Sequence, residues 1–257
     1  MQVSSVEEGY SRPGWLPRAI GLIPGRLKGS LARAAISSSR RRRRTTFRFN
    51  GLEYPYFFHP YNLAWRNERT VEIPIISAIV GECNGEVLEV GNVMSHYLKT
   101  HHDIIDRYES DPGVTNQDVT LFNPEKEYEL IVSISTLEHI GWTEHPRDPE
   151  KGAMAIAHLQ SLLAPGGRLI TTIPVGLNEE LDRRIEQGEI RFTELKALGR
   201  ISHRNEWEEI DCASAWRLEY SRWAYRANAV VVCCSEERLR KPDERLSSGL
   251  PRAEPPG

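Results

Sequence analysis

The chain is poor in sulfur and has no long apolar run. Four cysteines stand in 257 residues (Cys83, Cys212, Cys233, Cys234), and none has the close pairing of a zinc ligand set. No metal site is expected from them. The adjacent Cys233-Cys234 lies in an apolar stretch and reads as buried free thiol of a reducing compartment. Because no run approaches about 18 apolar residues, no transmembrane helix is expected, and a cytoplasmic location follows as the expectation. A Gly-x-Gly-x-x-Gly fingerprint is also missing, which speaks against a nicotinamide-dependent Rossmann enzyme. What remains, 39% hydrophobic and 27% charged residues, is the make-up of a globular domain.

The net charge of −3 hides an asymmetry. Residues 1–52 carry 11 Lys/Arg against 2 Asp/Glu, while the remainder carries 22 against 34. Residues 1–50 lack strong apolar periodicity and contain five consecutive arginines, Arg40–Arg44. Like charges repel and are well solvated, so this part reads as a disordered basic extension. Contact of the tract with nucleic acid or an anionic surface, and a targeting role, are the alternatives. Residues 51–237 read as the folded domain: an aromatic, proline-broken segment and a helix over 51–83, then a core over 84–235. Residues 238–257, charged and rich in proline, read as a disordered tail.

Along the core, strands are expected near 86–90, 102–106, 114–117, 129–135, 167–173, 206–211 and 225–234. Helices are expected over 68–82 and 149–163, and one or two charged helices over 178–198. Strand–helix alternation predicts an α/β fold: a Rossmann-like, doubly wound, mostly parallel seven-stranded sheet with helices on both faces. The apolar run Ala229–Cys233 suits a central strand. The aromatic segment 51–67 is read as neither regular helix nor strand; it either straps the core or closes over a pocket. His101-His102 reads as a solvated strand start.

Motifs then fall in order. Val87-Leu-Glu-Val-Gly91 is a short apolar strand ending in a carboxylate and a glycine, followed by a polar turn. Ile104-Ile-Asp106 and Asn116-Gln-Asp118-Val119 follow. Next come Ser133-Ile-Ser135-Thr-Leu-Glu-His139-Ile-Gly-Trp142 and Leu162-Leu-Ala-Pro-Gly-Gly-Arg168. In this order and spacing the chain resembles the class I S-adenosylmethionine-dependent methyltransferases over roughly residues 84–235.

The resemblance implies S-adenosyl-L-methionine as cofactor and a site at these positions. Glu89 would hold the cofactor ammonium through a charged hydrogen bond, directly or through water. Gly91 and Asn92 would form the close backbone turn, and Asp106 would accept the ribose hydroxyls. Asp118 and Val119 would meet the adenine, and Ser135 would adjoin the cofactor. His139 is the candidate base or acceptor contact, and Trp142 a candidate wall of the acceptor pocket. Glu89, Asp106 and Asp118 have plainer readings as helix cap, exposed strand-end acid and turn residue; His139 has one as a structural or cofactor-proximal residue, and Trp142 as an adenine wall or core. The chain departs from the family at Gly91-Asn-Val-Met-Ser95, where two further glycines are usual. A β-branched Val93 resists positive φ, so either the loop takes another path or the cofactor site is altered.

The acceptor expected on this reading is a small or saccharide-type molecule. An Asn-Pro-Pro-Tyr-like run, which resembles amino-methylation of bases or protein amides, is absent. The segments 51–67 and 176–204, the loop after His139 and the acids of Asn205–Asp211 are the candidate acceptor contacts. The competing reading is a non-catalytic ligand-binding or interaction protein on the same fold.

Overall fold

Strand β3 (Val87–Val90) is buried along its whole length, as befits a strand covered on both faces. In the computed structural model, which describes residues 37, 44–221 and 226–236, β3 lies between β4 (Asp103–Asp106) and β6 (Tyr128–Ile134), parallel to both. Outward from β4 comes β5 (Val114–Asn116), and outward from β6 comes β7 (Leu163–Pro174), again parallel. Beyond β7 the sheet continues with β10 (Ala229–Glu236), β8 (Glu194–Arg200) and β9 (Trp207–Ile210), each antiparallel to its neighbour. The order is β5-β4-β3-β6-β7-β10-β8-β9. Ala229–Cys233 is interior, as expected of an unbroken apolar run.

The sheet has eight strands among the described residues, one more than expected. The additional one is β8, in a stretch read as charged helix. Only Glu179–Glu186 (α3 below) is helical there. Glu194-Leu-Lys-Ala-Leu-Gly-Arg200 is full of helix formers, yet pairing with β10 on one side and β9 on the other overrides that preference.

Helix α1 (Arg69–Glu82) covers one face of the sheet, packing Val71, Ile75 and Ile76 with Leu130, Val132 and Val230. Helices α2 (Lys151–Ser161) and α3 (Glu179–Glu186) cover the other, where Ile156, Leu159, Leu181 and Ile185 meet Leu88, Ile131 and Leu169. Pro74 lies inside α1. Proline has no N–H to give to the carbonyl four residues back, here that of Thr70. That carbonyl is taken instead by Phe57 N at 2.9 Å, and Thr70 Oγ1 donates to Phe57 O at 2.8 Å. The proline thus frees the very group that stitches the aromatic segment to the helix.

The expected boundary at residue 50 falls inside a hairpin. β1 (Thr46–Phe49) pairs antiparallel with β2 (Leu52–Pro55) through the turn at Asn50-Gly51. Phe47 and Phe49 are buried in the α1-side core. Residues 44–50 therefore belong to the fold, and part of the aromatic segment is regular strand. The arginine run, apart from Arg44, and the tail 238–257 lie outside the described residues. No helix among the described residues is long and apolar enough to cross a membrane.

Candidate functional site

Parallel strands β3, β4 and β6 end on one edge of the sheet, so the turns that leave them share one cleft. Gly91, Asp106, Asp118, Val119, Ser135 and His139 all line it. Six residues spread over 49 positions of sequence are thereby brought together. Thr136, inside the Ser135–His139 motif, lines it as well, and so do Arg107, Tyr108 and Glu144, which belong to no recognisable motif.

The turn after β3 explains the missing glycines. Gly91 has φ +85, and a Cβ there would run into the Thr136 side chain. Only glycine serves both conditions. Val93 has φ −106, an ordinary value for a β-branched residue. The loop takes another path: Val93 N donates to Gly91 O at 2.9 Å, and the chain closes into a single 3-10 turn over Met94–His96.

Glu89 does not reach the cleft. Its carboxylate is fully buried; Oε1 accepts from Val93 N (3.0 Å) and Met94 N (2.7 Å), and Oε2 meets His102 Nε2 at 2.8 Å. It is the clamp of the loop, and it is not among the residues that line the cleft. His102 is correspondingly buried rather than solvated. Asn92 is also turned inward: its N donates to Asp106 Oδ2 (3.1 Å), its Nδ2 to Glu109 Oε2 (2.7 Å), and its Oδ1 accepts from Ser95 Oγ.

Asp106 lines the cleft and accepts three backbone donors, from Asn92, Tyr108 (2.7 Å) and Glu109 (2.8 Å). A carboxylate offers about four acceptor positions, so one is left. Asp118 caps the 3-10 turn that follows it through Thr120 N. Its Oδ2 lies 2.6 Å from Lys151 Nζ and 3.0 Å from Arg107 Nη1. Both cations also bind Glu144. Burial would raise the Asp118 and Glu144 carboxyls, but Lys151 with Thr120 at the first, and Lys151 with Arg107 at the second, hold them below their ordinary values. The rim of the cleft is a closed quartet of charges.

At the end of β6, Ser135 adopts φ +41, a left-handed value uncommon for a residue with a side chain. It is fixed by two bonds, N to Thr172 O at 3.0 Å and Oγ to Glu72 Oε1 at 2.6 Å. His139 follows in a 3-10 turn over Leu137–His139. Burial, with the Arg69 charge nearby, lowers its imidazole to about 4, so it is neutral at physiological pH.

Trp142 faces away. Its Nε1 donates to Leu177 O at 2.9 Å, and the Arg147 guanidinium stacks 3.2 Å from its ring centroid. It ties the post-β6 loop to the entry of α3 and does not line the cleft. The acids of 205–211 are also elsewhere: Glu208 pairs with Arg44, Glu209 accepts from Asn50 N, and Asp211 caps a short helix, α4 (Cys212–Ala215).

Numbered from β3, the first five core strands lie in the order 3-2-1-4-5, that of doubly wound nucleotide-binding sheets. The sheet then ends in antiparallel strands. The fold is a Rossmann-like, doubly wound one. No known family profile matches the chain, and no curated protein does. Among solved structures it is similar to the N-methyltransferase NodS of Bradyrhizobium japonicum WM9, bound to S-adenosylhomocysteine. That pair shares 15% identity and a TM-score of 0.42, covering 66% of this chain and 87% of that one. A possible histamine N-methyltransferase of Thermotoga maritima shares 13% identity and a TM-score of 0.41 over 69% and 95% of the two chains. The 1,6-didemethyltoxoflavin-N1-methyltransferase of Burkholderia thailandensis shares 12% identity and a TM-score of 0.39 over 76% and 100%. The strand order, not these scores, carries the fold.

Proposed function

We propose that this protein is an S-adenosyl-L-methionine-dependent methyltransferase acting on a small-molecule or saccharide-type acceptor. The observation that carries this reading is the convergence of Gly91, Asp106, Asp118, Val119, Ser135 and His139 on one cleft at the carboxyl edge of the sheet. In an open α/β sheet that edge is where nucleotide-like ligands bind.

The residues present suit the cofactor. Asp106 keeps an acceptor position for a ribose hydroxyl, and Val119 with Tyr108 supplies apolar walls for a base. Gly91 brings backbone close to the ligand. Since Glu89 and the N–H groups of the Gly91 turn are engaged within the loop, the amino-acid end of the ligand falls to other groups of the cleft. A bound sulfonium supplies an activated methyl group, so the protein's work is alignment and exclusion of water. His139, uncharged at the cleft, is placed to contact an acceptor.

Calorimetric titration with S-adenosylmethionine and S-adenosylhomocysteine, with NAD as control, tests the reading. Binding of the first two alone is expected, and Asp106→Ala is expected to weaken it at least tenfold. Unchanged affinity in Asp106→Ala would remove the ribose role. Silence from folded wild-type protein would favour a non-catalytic binding protein, a reading supported by the loop in which Glu89 consumes the Val93 and Met94 N–H groups.

A further inference from the structure

Next to the cleft, on the α1 side of the sheet, lies a set of charges that the cofactor reading does not use. Glu68 and Glu72 at the start of α1 and Glu138 in the turn after β6 are all buried. Among the described residues the cation in contact with them is Arg69, whose Nη1 lies 2.7 Å from Glu72 Oε2. Glu68 Oε2 accepts from Ala227 N at 3.0 Å, and Glu72 Oε1 accepts from Ser135 Oγ at 2.6 Å. Glu138 differs. It has no exposed surface, and neither carboxyl oxygen has a hydrogen-bond partner among the described residues. Leaving such a group unpaired is costly, and a fold tolerates it where a ligand completes it.

The set borders the cleft at two points. Ser135, which holds Glu72, lines the cleft, and so does His139, whose Nε2 is 3.8 Å from Glu138 Oε1. Burial, reinforced by Glu72 and Glu68 against the Arg69 charge, holds the Glu138 carboxyl well above the usual carboxylate range. His139 is neutral and contributes no countercharge.

We propose that the side of the cleft formed by Ser135 and His139, with Glu72 and Glu138 behind them, is the acceptor subsite and that it takes the amino group of an amine-bearing small molecule. An ammonium brings three donors to carboxyl oxygens that lack them, and one positive charge against which the Glu138 carboxyl can ionise. A hydroxyl brings one donor and no charge, and a carboxylate or phosphate is repelled. The chemistry closes. Glu138, ionised as it pairs with the ammonium, its proton passing to water, then takes one proton from the ammonium and leaves a neutral amine. Its lone pair forms the new N–C bond as the C–S bond breaks with its electrons going to sulfur, and the product is an N-methylammonium and a thioether.

The reaction, though not the subsite, rests on the methyltransferase reading. The test uses the full chain saturated with S-adenosylhomocysteine, titrated by calorimetry with n-butylammonium chloride and separately with n-butanol, ionic strength being held constant with sodium chloride. Saturable binding of the ammonium alone is expected, weakened at least tenfold by Glu138→Gln. Equal binding of the two probes, binding of neither, or a folded Glu138→Gln that binds as wild type would overturn the subsite. Should Glu138→Gln fail to fold, the two-probe comparison on wild type decides alone. Failure of S-adenosylhomocysteine to bind would instead count against the methyltransferase reading, and the same two probes on the unliganded protein would still decide the subsite.

Discussion

Asp182, near the start of α3, is a second buried acid with a vacant oxygen. Its Oδ2 accepts from Gly176 N at 2.6 Å, while Oδ1 has no partner among the described residues. Burial, with Glu179 and Glu186 nearby, raises the carboxyl from 3.8 to about 7. The folded protein therefore keeps a proton that the unfolded chain has already lost. Stability from this residue is full below about pH 4, declines as pH rises to about 7, and stays low above it. Asp182→Asn retains an acceptor for Gly176 N and cannot ionise. It is expected to leave stability near wild type at pH 4 and to add on the order of 2 kcal/mol at pH 8, well inside the 1.36 kcal/mol per pKa unit that linkage allows. Urea unfolding at the two pH values checks this; an equal increment at both would remove the ionisation as the cause. Single residues of this kind are hard to read in sequence. Glu89 looked like a ligand contact because it ends a strand before a glycine, and that placement is correct. What it binds is decided by His102, 13 positions on, and by the path of the loop. Gly91 was legible because its conformational demand is local.

At the scale of elements, the hairpin of β1 and β2 is the piece the sequence hid. Thr46-Phe-Arg-Phe49 alternates as a strand should, but four residues adjoining an arginine run give too short a signal. β8 was hidden for the opposite reason, its helix formers being overruled by two strand partners. The strands of the parallel half were legible because burial on both faces makes them continuous apolar runs, and the turns at their ends inherit that legibility. The hairpin is integral to the α1-side core. Phe47 is 4% exposed, with its ring centroid 5.0 Å from that of Tyr56. The Tyr56 hydroxyl in turn bonds the backbone of Trp207, accepting from its N at 2.7 Å. Phe47→Ala is expected to cost about 3–4 kcal/mol, the range for a buried Phe truncated in a packed core. A loss under about 1 kcal/mol in a urea melt would mean that the hairpin only decorates the sheet.

At the scale of the molecule, the charge asymmetry and the fold boundary are separate matters. The basic excess sits before residue 53, yet the core begins at the hairpin, inside that excess. Arg44, the last of the arginine run, reaches Glu208 at 2.7 Å, but both side chains are at least half exposed, and such pairs contribute little. Among the described residues, the packing that builds the fold runs from Phe47 on β1 to Ser235 on β10. A chain trimmed to 44–236 is therefore expected to unfold at the same urea midpoint and with the same slope as the full chain, and to bind S-adenosylhomocysteine equally well. A chain beginning at residue 50 loses β1 and both buried phenylalanines, and it is expected to unfold at a markedly lower midpoint. If the shorter chain instead matched the longer one, the domain would begin after the hairpin. If trimming to residue 44 itself lowered the midpoint, the basic extension would have to contribute to the folded state.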